Sequence, residues 1–313
     1  MYISFDIGGT TIKYGVVNND GEIVFQDKIK TEDNKENFFN NMKELIVALR
    51  QRFDILGIGI SAPGIIRKDG LMITAGAIKS LYGENIKKEI ESFSNLPVTI
   101  ENDANAAAIA EKWLGNAKDL TNYICLVLGT GVGGSIVINN QIYSGSNGMA
   151  GEFGWTLIND LPVSGDIESS TLNKKSAVVN GLCANYNRQK QLIEPSVSPI
   201  YDAQLILDLE KQGDVIAKDV LTDFFTNLAV GIINVMSSFD PDAILIGGGI
   251  SANEEFRNRL LTTIKEVKNR HQSMNNLSSI IETPVILAKL KNDAGIIGAA
   301  YQIKEKIDKN DNQ

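Results

Sequence analysis

ISFDIGGTTIKYGVV at 3–17 and ICLVLGTGVGGSIVI at 124–138 are two copies of one pattern, and they decide how the rest of the chain is read. In each, an apolar run rich in β-branched residues enters a turn holding two or more glycines and a threonine. It leaves as a second apolar or alternating strand that ends at a polar hairpin turn, NNDG at 18–21 or NN at 139–140. Neither turn opens onto a helical pattern, so neither is a dinucleotide fingerprint. Neither carries the Gly-Lys-Ser/Thr ending of a P-loop. Gly8, Gly9, Gly129 and Gly131 let backbone N–H groups approach an anion with no Cβ in the way, and Thr10, Thr11 and Thr130 add hydroxyls to the same concavities. Asp6, on the strand before the first turn, makes chemical sense beside a phosphate if a cation intervenes, so it is read as holding Mg²⁺ through water. The same glycines also suit ordinary tight hairpins. Two copies together with Asp6 favour a phosphate gripped between two lobes.

The chain has 313 residues, enough for two domains with a core each. Thirty Lys and Arg against 38 Asp and Glu give a formal charge of −8, and no basic stretch offers a surface for tracking nucleic acid. No leader pattern and no run of eighteen apolar residues is present, so the expectation is a cytoplasmic protein without a membrane span. The one histidine, His271, falls in the polar helical stretch 256–276 and is read as a surface residue. Cys125 and Cys183 are isolated in apolar surroundings, which excludes a disulfide framework and a cysteine zinc site. General-base work therefore falls to a carboxylate, lysine or tyrosine.

Outward from the first hairpin, 34–53 places Phe38, Met42, Leu45, Ile46 and Leu49 on one helical face. ILGIGISAPG (55–64) reads as a buried strand ending in a turn, and LPVTIEND (96–103) as another that runs into the alanine-rich helix ANAAAIAEKWLG, stopped by Gly115. After the second hairpin the pattern loosens over 144–175. Helices are expected near 174–186, at 200–211 and over 214–238, then a buried strand AILIGGGIS (243–251), the strand PVILAKL, and a last helix at 293–307. The long apolar helix suits a core or a dimer interface equally. The KNDNQ tail is expected to fray.

With these segments in place, the chain resembles the ROK sugar kinases, in the actin/hexokinase/Hsp70-like superfamily. DIGGTTIK (6–13) resembles that family's first phosphate motif, GTGVGG (129–134) its second, ILIGGGI (244–250) its nucleoside-side loop, NDAGIIGAA (292–300) its closing segment and IENDANAAAIAEKWLG (100–115) its catalytic segment. The resemblance implies an α/β, two-lobed, ribonuclease H-like fold with the active site in the interlobe cleft. It further implies ATP and Mg²⁺ as cofactors, a small sugar substrate and a homodimer. The expected lobes are 1–116 with 296–313, and 117–295. Lys13, Gly133, Gly247, Gly248 and Gly249 join the ATP-binding set, and Gly64 and Gly76 the substrate set.

Within that frame Asp103, at a strand end before a helix, is the expected general base for a sugar hydroxyl, with Asn102 as a hydroxyl partner. Both would also serve as N-caps; capping accounts for one of them more readily than for both. Glu152, in AGEFGW (150–155), resembles the family's sugar-binding glutamate. Two departures stand out. Many members carry a histidine where this chain has Trp155, followed by a cysteine-rich zinc motif, and 159–175 holds no cysteine, so the expected metal is Mg²⁺ alone, with no zinc. Asn173 stands where a second sugar-contacting glutamate is expected. A broad aromatic face suits a pyranose ring, and losing a charged contact near C1 relaxes the demand for a free anomeric hydroxyl. GLMITAGAIKSL (70–81), together with AEKWLG and the TLN loop, resembles the β-glucoside kinases of the family, and with the two departures this favours phosphorylation of the 6-hydroxyl of a β-glucoside such as cellobiose. An N-acylmannosamine, glucose or fructose kinase of the same family is the nearest alternative. A ROK repressor is disfavoured because Asp6 stands so close to the start of this sequence. A filament or chaperone ATPase leaves the Asn-Asp pair unexplained, and a silent sensor leaves Asp6 and Asp103 unexplained.

Overall fold

A computed structural model describes residues 1–277 and 280–311. The chain divides into two compact units, one of residues 1–119, 141–150 and 292–313, the other of 120–140 and 151–291. Each has its own sheet.

In the first unit β1 (Tyr2–Ile7), β2 (Thr11–Val17) and β3 (Ile23–Lys30) form an antiparallel meander. Helix α1 (Lys35–Arg50) follows, then β4 (Gly57–Ala62), α2 (Ile86–Ser94), β5 (Val98–Asn102) and α3 (Asp103–Leu114). The strand order is β3-β2-β1-β4-β5, with β4 and β5 parallel to β1. Helix α1 starts at Asn34, whose side chain caps the Asn37 N–H, and it buries the expected stripe Phe38, Met42, Ile46 and Leu49 against Phe5, Ile58 and Ile60. Strand alternation sends Ile3, Phe5 and Ile7 to that core, and so sends Tyr2, Ser4 and Asp6 to the opposite face. That face is covered by α10 (Ala294–Asp311), which packs Ile296, Ala300 and Ile303 on Tyr2 and Val17 and lies along α3.

The helix comes close because glycine permits it. A Cβ on Gly59 of β4 would stand 1.9 Å from the Ala299 carbonyl oxygen, and one on Gly298 1.9 Å from the Ala106 oxygen. The tail expected to fray from residue 309 is instead helical through Asp311, while Asn312 and Gln313 lie outside the described residues.

The second unit starts with β6 (Tyr123–Leu128) and β7 (Val132–Ile138); after the short β8 (Gln141–Ile142), in the segment that belongs to the first unit, it continues through α4 (Leu172–Ser176), a π-helical turn at Val178–Cys183, and α5 (Ala184–Ile193). Next come α6 (Ala203–Lys211), α7 (Val215–Phe239), β9 (Ala243–Gly247), α8 (Glu254–Arg270), α9 (Gln272–Leu277) and β10 (Val285–Leu287). The sheet runs β10-β9-β6-β7, with β9 parallel and β7 antiparallel to β6. That is the arrangement β5-β4-β1-β2 of the first unit, so the repeated glycine hairpin is the visible part of a repeated sheet. The turn that follows β7 has no glycine, and Asn139 and Asn140 take φ of 53° and 62° there.

Helix α7 is long and apolar enough to cross a membrane by composition. It is instead a core helix, burying Phe224, Phe225, Leu228 and Ile232, with Phe256 of α8 stacked on both phenylalanines. His271 is exposed at the end of α8, as expected. Both cysteines are buried, and burial pushes the Cys183 thiol up to about 11, which leaves it inert as a nucleophile at neutral pH.

Candidate functional site

In the first unit the expected residues converge on the carboxyl ends of three adjacent parallel strands, the usual ligand edge of an open α/β sheet. Asp6 of β1 is level with Ser61 of β4, and Ser61 with Glu101 of β5. Asp6 and the β5 end are therefore two strand spacings apart, about 10 Å. The Asp6 carboxylate accepts a hydrogen bond from Ser61 Oγ at 2.9 Å and lies 3.7 Å from Lys13 Nζ, which also donates to the Asn292 carbonyl at 3.0 Å. Gly295, in the first turn of α10, leaves the room: a Cβ there would be 2.4 Å from the Asp6 carboxyl carbon. Burial pushes the Asp6 pKa up in spite of Ser61 and Lys13. An additional cation near this carboxylate would relieve that cost, so its environment fits a role in holding Mg²⁺.

The first glycine turn differs in detail from expectation. The Gly8 N–H is committed to the Thr11 carbonyl at 3.0 Å, and a Cβ on Gly8 would sit 2.9 Å from that same oxygen. Gly8 thus closes the turn, and the donors left for an anion belong to the residues after it. Gly9 and Thr10 are exposed, and Gly9 approaches the segment around Gly76, where its Cβ would meet Ala77 Cβ at 3.1 Å.

Asn102 is the N-cap of α3. Its Oδ1 accepts the N–H groups of Ala104 at 2.9 Å and Asn105 at 3.3 Å, and its Nδ2 donates to the Gly64 carbonyl at 3.0 Å. One N–H of its amide is left for a ligand hydroxyl. Gly64 sits at φ +95° with its Cβ position 2.3 Å from the Thr74 oxygen, so its part is to let the 64–76 loop fold back and to anchor Asn102. The Gly76 carbonyl accepts from the Tyr82 hydroxyl at 2.9 Å. Since Asn102 supplies the cap, Asp103 is the first helical residue, an exposed carboxylate with one oxygen accepting the Ala104 N–H at 2.8 Å.

Beneath this pair lies Glu101, which sequence reasoning passed over. Its carboxylate accepts from the Asn102 N–H and from Asn105 Nδ2, each at 2.9 Å, and from Gln302 Nε2 of α10 at 3.1 Å. Burial still raises its pKa, the hydrogen bonds opposing that shift. Between the ordinary glutamate pKa and the raised folded value, the folded protein holds a proton that the unfolded chain has lost. Stability therefore falls as pH rises through that window. Glu101→Gln is expected to remove this loss. The Gln302 oxygen, which has no partner, can turn toward the new amide. Urea unfolding of both proteins across the acidic range checks this: the mutant should gain on the wild type as pH rises, and parallel curves would contradict it.

The second unit builds its turn the same way. Gly129 N–H closes on the Gly131 carbonyl at 2.9 Å. The Gly129 carbonyl accepts from Val178 and Val179 N–H at 3.0 and 3.2 Å, and the Thr130 carbonyl from Asn180 N–H at 3.2 Å, so the first turn of the π-helix is docked on the glycine turn. In a trans peptide the N–H lies opposite the C=O, so the Thr130 and Gly131 N–H groups face away from that helix.

Asn173 belongs to this support. Its Oδ1 accepts the Val132 N–H at 2.9 Å and would be 3.0 Å from a Cβ on Gly131. The Asn173 oxygen is thus used by the backbone at the glycine turn, and any contact with a sugar hydroxyl falls to its amide nitrogen. Gly133 lies inside β7 opposite Val127, beyond the turn. Gly247 ends β9, and Gly248, at φ +96°, brings the nucleoside-side loop against Leu128, where a Cβ would stand 1.9 Å from the carbonyl oxygen; Gly249 starts the short 3₁₀ turn that follows.

The AGEFGW loop lies on β7 through its glycines. Gly151, at φ +97°, has its Cβ position 2.5 Å from the Gly134 oxygen, and Gly154 has its own 2.4 Å from the Val132 oxygen. Phe153 is buried between them and packs edge-on to Phe239, with ring centroids 5.9 Å apart. That anchor fixes Glu152, whose carboxylate is pushed up in pKa by burial alone. Trp155 is 52% exposed. Among the described residues no group of three or more His, Cys, Asp or Glu side chains could hold a metal ion.

Two sheets of one topology, each carrying a glycine hairpin beside its central parallel strands, define a two-lobed α/β kinase fold. The chain belongs to the ROK family, whose model matches residues 2–306. A β-glucoside kinase from Listeria monocytogenes is 34% identical over 97% of this chain and 97% of that protein. A glucokinase from Halalkalibacterium halodurans is 32% identical over 97% of this chain and 95% of that one. Among solved structures, the ROK family glucokinase from Streptomyces griseus in complex with glucose and AMPPNP superposes with a TM-score of 0.78 at 28% identity, covering 96% of this chain and 98% of that one.

Proposed function

We propose that this ROK sugar kinase transfers the γ-phosphate of ATP to the 6-hydroxyl of a glucosyl unit, and that its substrate is a β-glucoside such as cellobiose. The observation carrying the reaction is the division of labour at the end of β5: Asn102 caps the helix, and the Asp103 carboxylate is exposed at the same sheet edge as Asp6 and the first glycine turn. Asp103 accepts the proton of the attacking hydroxyl as its oxygen bonds to the γ-phosphorus and the bond from phosphorus to the ADP oxygen breaks. Asn102 orients the acceptor through its remaining N–H. The open N–H groups of the first glycine turn bind phosphate oxygens. Mg²⁺, held by Asp6 through water, would neutralise phosphate charge.

Three features support the glycoside. Glu152, half-buried on a loop anchored by Phe153, is an acceptor suited to sugar hydroxyls. Trp155 presents an exposed face of the kind that stacks on pyranose rings. The 34% identical relative is a β-glucoside kinase. A coupled ADP-release assay with ATP and Mg²⁺ across cellobiose, a β-aryl glucoside, glucose, fructose, N-acetylmannosamine and no sugar tests both parts. Highest kcat/KM on the β-glucosides supports the substrate assignment; activity confined to a free hexose or acylhexosamine overturns it and keeps the kinase. Rapid ADP release without sugar, or none with any of them, overturns the reaction itself.

A further inference from the structure

We propose that Thr31 is the positioning residue of the first phosphate turn, aiming the N–H groups of that turn at the nucleotide. Thr31 follows β3 and is 7% exposed, distant in sequence from every motif that carries the chemistry. It makes two bonds to one turn: its Oγ1 donates to the Gly8 carbonyl at 2.7 Å, and its backbone N–H to the Thr10 carbonyl at 3.0 Å. The Gly8 carbonyl shares a peptide plane with the Gly9 N–H, and the Thr10 carbonyl shares one with the Thr11 N–H. Because trans peptides hold C=O and N–H on opposite sides, pinning these two carbonyls to Thr31 turns the Gly9 and Thr11 N–H groups the other way.

Those are donors the turn itself does not spend, since the Gly8 N–H closes the loop on Thr11. A glycine turn free to rotate its peptides would present a carbonyl dipole to an anion as readily as an N–H. Thr31 removes that freedom at the peptide between Gly8 and Gly9, where no Cβ limits the chain on either side. The second unit reaches the same result by other means, with Val178, Val179 and Asn180 holding the Gly129 and Thr130 carbonyls. Two unrelated sets of donors that each pin the carbonyls of a glycine turn point to one requirement, N–H groups preorganised for phosphate oxygens.

This inference rests on the ATP-dependent reading above, so the experiment separates the two. Thr31→Val keeps the shape and the backbone N–H while deleting the hydroxyl, and Thr31→Ser keeps the hydroxyl. With Thr31→Val, KM for ATP should rise roughly tenfold, the size of one hydrogen bond lost where a buried group is left unpaired. KM for the sugar should stay at the wild-type value, and Thr31→Ser should restore the ATP constant. An unchanged ATP KM in Thr31→Val, an equal rise for both substrates, or failure of Thr31→Ser to rescue would overturn the assignment. If Thr31→Val does not fold, Thr31→Ala takes its place with the same expectations. If the wild type phosphorylates no sugar, calorimetric titration with AMPPNP and Mg²⁺ decides the matter independently: weaker binding by Thr31→Val supports the aiming role, and equal binding overturns it.

Discussion

Asp103→Asn is expected to lower kcat by roughly 10²–10⁴-fold while KM for ATP changes little, the range typical of a lost general base. The substitution is close to isosteric, and an asparagine oxygen can still accept the Ala104 N–H that Asp103 now takes at 2.8 Å. The cap of α3 is untouched, because it is made by Asn102 through Ala104 and Asn105. What disappears is a group able to take the proton of the acceptor hydroxyl. Steady-state rates on the best sugar, beside a thermal melt to show an intact fold, check this. Near-full turnover in a folded mutant would remove Asp103 from the chemistry and return it to the role of a helix-start residue.

Gly59→Ala is expected to be among the most damaging single methyls in the first unit. Its Cβ would fall 1.9 Å from the Ala299 oxygen and 2.4 Å from the Ala299 carbonyl carbon, backbone atoms that no rotamer change can move. β4 is buried along its whole length, so relief must come from lifting α10 off the sheet. That movement separates Ile296, Ala300 and Ile303 from Tyr2 and Val17 and takes Gly295 away from Asp6. A cost of about 3 kcal/mol, the upper range of overpacking, corresponds to a melting midpoint roughly 6–12 °C lower. Activity should fall with it, since the helix that leaves is the one packed on Asp6. A midpoint unchanged from wild type would show that the helix yields without cost.

Much of this was legible in the chain itself. The α1 stripe and the apolar α7 follow from helical spacing and the alanine-rich α3 from its composition, and helices stand at these places and at the closing segment in the structure. The Asn-Asp pair was readable as one cap and one acid, though sequence alone could not say which residue caps. The bond Asn173 makes was not legible because the loop before it has no period, so no register reached across 159–175. In the folded chain Asn173 belongs to α4 and lies against the glycine turn. Gly133 was assigned to the ATP-binding set by its place in GTGVGG (129–134), the motif that resembles the family's second phosphate motif. Strand pairing places it opposite Val127.

The sequence by itself determined the doubled glycine hairpin, the order of the motifs, the scarcity of histidine and cysteine and the candidate acid. All of these depend on residue type and spacing within a short window. Tertiary structure alone decided that Ser61 and Gly295 attend Asp6, that Glu101 is held by Asn105 and Gln302, and that Thr31 pins the first turn. The physical reason is the same in each case. A hydrogen bond between residues 23 or 201 positions apart leaves no periodic trace in the chain, and the direction of a peptide N–H in a glycine turn is set by whichever distant donor holds its carbonyl.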